Sequence, residues 1–166
     1  YDDTLAVTVD VMIHHIAAVT RATPNALVVG DMPWLSYHTS EQETIRNAGR
    51  FIQGGGAGAV KLEGGRKRLP MVAAVLSAEI PVMGHIGLTP QSVHTMGGYR
   101  VQGRDAHAAY ELISDAHALA DAGVFALVLE GVPMSSRRSS RRGSRYRRSV
   151  SVQASSATAR YSCSMT

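Results

Sequence analysis

Cysteine is missing from the first 133 residues, and Cys163 is the only one in the 166-residue chain. That excludes a disulfide framework and makes a reducing, cytoplasmic setting the default. No apolar run approaches the roughly 18–20 residues of a membrane span, and no basic segment followed by an apolar stretch opens the chain as a signal peptide would. The chain starts at Tyr1, inside what reads as ordinary domain sequence, so a chain incomplete at its N-terminus is expected. Carboxylates are missing too, but only from one part. Residues 1–133 carry 9 basic and 13 acidic side chains, whereas residues 134–166 carry eight arginines and no Asp or Glu. The overall charge of +4 therefore describes neither part. The longer one is mildly acidic and offers no nucleic-acid surface; the shorter one is an Arg/Ser-rich tail.

What is present in residues 1–133 is one pattern repeated four times: an apolar run, a polar residue at its end, then a helical stretch. The runs are 26–31, ending in Asp31; 59–63, with Lys61 and Glu63; 80–85, ending in His85; and 125–130, ending in Glu130. Short Val/Leu-rich runs without alternation suit strands buried on both faces. Between them, Thr8 to Val19 has helical character. Ser40 with Glu43 has capping-box spacing ahead of a second helix, and Arg104 to Ala122 is Ala-rich and closes on Gly123. Strands alternating with helices predict parallel β/α units, either a doubly wound sheet or a (β/α)₈ barrel. Polar residues at the C-terminal end of every strand favour the barrel, where such ends converge on one catalytic face. Four strands make half a barrel, since a complete one takes about 250 residues. Gly87 to Arg104 interrupts the pattern and is too Gly-rich and polar for core, so it reads as an elaborated loop over the strand ends.

The polar residues suggest a chemistry. Asp31 and Glu63, on neighbouring strands, are hard oxygen ligands that suit Mg²⁺ better than zinc. Consecutive His14 and His15 cannot share one helical face, which removes the only paired histidines as a zinc site. Lys61 lies two residues before Glu63 and so on the same strand face, placed to neutralise a substrate carboxylate. Glu130, at the mouth of an apolar strand, is a candidate proton acceptor or a structural partner for a cation. His85 fits a ligand, a proton shuttle or a hydrogen-bonded wall of the substrate pocket, and the last is favoured. Gly54-Gly55-Gly56-Ala57-Gly58 precedes its strand and lacks the Lys-Ser/Thr of a phosphate loop, so it is set aside.

Asp31-Met32-Pro33, Val60-Lys61-Leu62-Glu63-Gly64-Gly65, His85-Ile86-Gly87-Leu88-Thr89-Pro90-Gln91-Ser92-Val93, Gly97-Gly98-Tyr99-Arg100-Val101-Gln102-Gly103-Arg104 and Leu127-Val128-Leu129-Glu130 occur in that order. This set closely resembles the ketopantoate (3-methyl-2-oxobutanoate) hydroxymethyltransferase family over residues 1–133. Trp34 replaces the family's usual Phe, and Gly131 a common Cys. The resemblance implies a (β/α)₈ barrel of which residues 1–133 hold about four central units. It implies Mg²⁺ and 5,10-methylenetetrahydrofolate as one-carbon donor to 3-methyl-2-oxobutanoate in pantothenate synthesis. Asp31 and Glu63 would be metal ligands, Asp31 and Lys61 would meet the ketoacid, and Glu130 would remove its C3 proton to give an enolate that Mg²⁺ stabilises. The family's third metal carboxylate, in a Gly-Asp-Ser segment one strand earlier, is expected before Tyr1. A homo-oligomer is implied for the full-length enzyme. Half a barrel with open edges is expected to fold poorly and to be inactive alone. The resemblance leaves open another Mg²⁺-dependent barrel that makes or breaks carbon–carbon bonds in 2-oxoacids.

The resemblance stops at Pro133. The tail, 134–166, resembles an Arg/Ser RNA-binding segment, and its low complexity predicts an irregular or disordered conformation. A nucleic-acid-binding module would rest on it alone; salt-sensitive RNA binding lost on truncation at Pro133 would mark one. A shifted reading frame accounts for it better. Triplets built from the third base of each codon and the first two of the next permit VPTVGIGAG over residues 145–154 and CDGQVLVLHD over 156–166. Both strings resemble the family's seventh strand and the segment after it. Sequencing the coding DNA is expected to show codons from Met134 onward that read this way; codons that forbid it would make the basic tail genuine.

Overall fold

The computed structural model describes residues 4–22, 24–92 and 105–132, and the backbone of 150–151. Helix α1 (Val9–Arg21) starts where the Thr8 hydroxyl accepts the Val11 amide at 3.3 Å. Helix α2 (Glu41–Gly55) starts where the Ser40 hydroxyl accepts the Glu43 amide at 3.2 Å. The Glu43 carboxylate accepts from the Thr39 hydroxyl, so half of the expected capping box forms as expected and the Glu turns to a different donor. Gly56, in the left-handed region at φ 73°, ends α2. The glycine run is thus a helix C-cap leading into a strand. Helix α3 (Leu69–Ser77) has Pro70 in its first turn, and α4 (Ala106–Ala122) runs from an Asp105 cap to Gly123.

The strands are β1 (Val29–Asp31), β2 (Ala59–Glu63), β3 (Val82–Gly87), β4 (Ala126–Glu130) and a two-residue β5 (Val150–Ser151). All neighbours pair in parallel, in the order β1-β2-β3-β4-β5. No strand is skipped. A doubly wound sheet reverses its strand order at a switch point, whereas a barrel adds each strand beside the last, so the order selects the barrel arc. β1 is shorter than the 26–31 run: Leu27, beside the open edge, is 58% exposed instead of extending the ladder.

The helices lie on one side of this sheet. A side chain at Gly30 would strike Phe51 of α2 and Ile16 of α1, and one at Gly84 would meet Leu119 of α4. The core fills the space between, with Phe51, Val60, Leu62, Val72, Val75, Val82, Leu119 and Leu129 buried. Burying Phe51 alone contributes roughly 1.5–3 kcal/mol. Strand side chains alternate, so the neighbours of Gly30 and Gly84 point the other way. Asp31 and His85 therefore face the side without helices. The tail lies outside the described residues except for Val150–Ser151, which pair with Leu127–Val128.

Candidate active site

Parallel register puts the polar residues in rows. Asp31 is beside Lys61, Glu63 beside His85, and Gly87 beside Glu130. Lys61 and Glu63 are two apart and share the helix-free face, as do His85 and Glu130 by register. All five predicted site residues are brought to one end of one face.

Their contacts are specific. Lys61 Nζ lies 2.9 Å from Asp31 Oδ2. The other oxygen, Asp31 Oδ1, is withdrawn from water with no hydrogen-bond partner. This desolvation raises the Asp31 pKa above the ordinary 3.8, with Lys61 opposing it and the nearby Glu63 charge adding to it. His85 is wedged between two carboxylates: Nδ1 is 3.6 Å from Glu63 Oε1 and Nε2 is 3.1 Å from Glu130 Oε2. Neither contact has hydrogen-bond geometry, so His85 is a buried pocket wall between acids. Glu130 keeps about a third of its side chain exposed (32%), as a proton acceptor facing a substrate must.

Glu63 is buried, and its surroundings show what the sequence left unassigned. Its amide donates to the Tyr37 hydroxyl oxygen at 3.2 Å, and its Oε2 accepts the Gln91 amide at 3.1 Å. The Tyr37 hydroxyl donates to Gln91 Oε1 at 2.8 Å, and Gln91 Nε2 donates to the Met32 carbonyl at 2.8 Å. Burial raises the Tyr37 pKa and keeps the phenol protonated. The expectation that Gly87–Arg104 is a loop outside the core is corrected at its start. Thr89 and Gln91 are buried, in and beside a 3-10 turn at Pro90–Ser92; residues 93–104 lie outside the described residues. Polarity misled because the turn's polar groups are satisfied internally. Gly87 itself has φ 95°, and a side chain there would come within 2.2 Å of the Glu130 carbonyl oxygen, so glycine lets β3 leave the sheet beside Glu130.

Among the described residues no group of three or more His, Cys, Asp or Glu is arranged to hold a metal. What this face offers is a pair, Asp31 and Glu63, close enough for one charge to act on the other.

The fold and site together define part of a β/α barrel with an acidic cluster at its strand ends. Two solved structures share that fold: oxaloacetate acetylhydrolase (TM-score 0.65, 12% identity, 90% of this chain and 52% of that one) and 2,3-dimethylmalate lyase, a PEP mutase/isocitrate lyase superfamily member (TM-score 0.54, 16% identity, 77% and 45%). Residues 1–139 match the model of the ketopantoate hydroxymethyltransferase family, and the chain belongs to that family. It is 64% identical to the 3-methyl-2-oxobutanoate hydroxymethyltransferase of Syntrophomonas wolfei and 59% identical to that of Clostridium kluyveri, in each case over 133 residues, 80% of this chain and 48% of the relative. The chain thus spans about half the length of the curated relatives it matches.

His38 stands behind Tyr37, with ring centroids 4.2 Å apart. Burial, then the charges of Arg68 and Lys67, push its pKa from 6.5 down to about 4. The unfolded chain therefore binds a proton that the folded one refuses between pH 6.5 and 4, and stability falls as pH drops through that window. In a chimera carrying residues 1–133 in place of the matching segment of a full-length relative, His38→Gln is expected to reduce the loss of melting temperature between pH 7 and about pH 4. Parallel curves for both proteins would refute this.

Proposed function

We propose that this chain supplies the ketoacid-binding part of an enzyme that moves a hydroxymethyl group from 5,10-methylenetetrahydrofolate to 3-methyl-2-oxobutanoate. The product is 2-dehydropantoate (ketopantoate), in pantothenate and coenzyme A synthesis. The observation that carries the reading is the convergence of Asp31, Lys61, Glu63, His85 and Glu130 on the helix-free face, in a chain of this family.

Each residue has a task its surroundings support. Lys61, oriented by Asp31, presents an ammonium to the substrate carboxylate. Glu130, partly open to solvent against the His85 ring, takes the proton from C3 of the ketoacid. The electron pair left behind becomes the enolate, whose C3 attacks the folate-borne methylene; water then releases the hydroxymethyl product from the carrier nitrogen. His85 walls the pocket and fixes the Glu130 side chain at its outer nitrogen. Asp31 and Glu63 suit Mg²⁺, which is bound through one or two carboxylates with water and substrate completing its shell, and the buried, partnerless Asp31 Oδ1 is a ready donor. When bound there, Mg²⁺ supplies Lewis-acid polarisation of the keto group. Family resemblance supports a cytoplasmic setting and a homo-oligomeric full-length enzyme.

Proton abstraction can be read without folate. With Mg²⁺ in D₂O, the chimera carrying residues 1–133 is expected to exchange the C3 hydrogen of 3-methyl-2-oxobutanoate, followed by proton NMR. Glu130→Gln should slow this by about 10²-fold or more. Absence of exchange by the unsubstituted chimera, or undiminished exchange by the variant, would overturn the reading.

A further inference from the structure

The buried hydrogen bonds around Glu63 join three separate stretches of chain. Tyr37 belongs to the loop after β1, Glu63 ends β2, and Gln91 lies in the turn after β3. Tyr37 is fully buried and Gln91 is 9% exposed, so water does not compete for these bonds. Each polar atom has a defined direction. The Glu63 amide donates to Tyr37, Tyr37 donates to the Gln91 side-chain oxygen, and the Gln91 amide nitrogen of the main chain returns to Glu63 Oε2. The circuit closes on the residue where it began.

The remaining arm leaves this circuit. Gln91 Nε2 donates to the carbonyl of Met32, the residue directly after Asp31. One side chain therefore ties the strand end that bears Asp31 to the strand end that bears Glu63. The Tyr37 loop is itself held from α2, where the buried Asn47 donates to the Ser36 carbonyl at 2.8 Å and the Ser36 hydroxyl donates to the Pro33 carbonyl at 2.7 Å. Within the carboxylate of Glu63, Oε2 is taken by Gln91, which leaves Oε1 on the His85 side.

We propose that Tyr37 and Gln91 are positioning residues that set the spacing and orientation of the Asp31 and Glu63 carboxylates for a divalent cation. This inference rests on the reading of those two carboxylates as a cation site. Tyr37 and Gln91 touch neither cation nor substrate. Partners of this kind that orient a ligating group are worth 10- to 100-fold in metal affinity.

The test is Mn²⁺ binding, counted as free Mn²⁺ by electron paramagnetic resonance, on the full 166-residue chain and on the same segment in the chimera. Tyr37→Phe removes one hydroxyl. Gln91→Met keeps the side-chain volume and the main-chain bond to Glu63 while deleting both side-chain amide bonds. Both variants are expected to keep a native circular dichroism spectrum and to bind Mn²⁺ about 10- to 100-fold more weakly. Affinity equal to the unsubstituted protein overturns the positioning role and leaves the proposed function standing. Loss of the fold in both variants assigns the network to stability alone and also overturns it. No Mn²⁺ binding by the unsubstituted protein in either form overturns the cation site and the positioning role together.

Discussion

In-register parallel pairing is the constraint on which the rest of this structure depends. Because Asp31 lies beside Lys61, Glu63 beside His85 and Gly87 beside Glu130, polar side chains from four strands share one face. A one-residue slip in any pair would send that strand's polar residues into the helix layer. The apolar pattern forbids such a slip: Gly30 has no room for a side chain against Phe51 and Ile16, and Gly84 has none against Leu127. The packing that fixes the core therefore also fixes the chemistry.

Burying a carboxylate is costly unless donors meet it, and Glu63 is buried at the centre of the cluster. Two neighbouring loops solve this by delivering Tyr37 and the Gln91 amide to it. The same solution leaves Asp31 Oδ1 without a partner and Glu130 partly exposed. Satisfied groups hold the site in shape, and the unsatisfied ones face where a ligand would come. Asp31 and Glu130 differ from Glu63 in this respect, although all three are acids at strand ends.

Much of this was legible in the amino-acid sequence. The four apolar runs, the Ser40 and Gly123 caps and the polar residue closing each strand follow from local rules, and each appears where those rules put it. Choosing between barrel and doubly wound sheet needed strand order, a property of long-range pairing that no local pattern contains. Tyr37 and Gln91 escaped notice for a related reason. Their partners lie 26 and 28 residues away in the chain, at Glu63, so spacing carried no signal. The polarity of the turn around Gln91 pointed to solvent, whereas its hydrogen bonds are internal. Beyond Pro133 the family pattern ends, and the basic tail has no counterpart in it.

Membership of the family gives the site its most economical explanation: two acids to hold a cation, a lysine to meet a carboxylate, and a third acid to accept a proton. The central claim is that Asp31 and Glu63 address the same ion. Crystals of the chimera soaked in Mn²⁺ would test it by anomalous diffraction. The account predicts one peak between the Asp31 and Glu63 carboxylates on the helix-free face. A peak elsewhere, or none with both carboxylates ordered and turned apart, would contradict it.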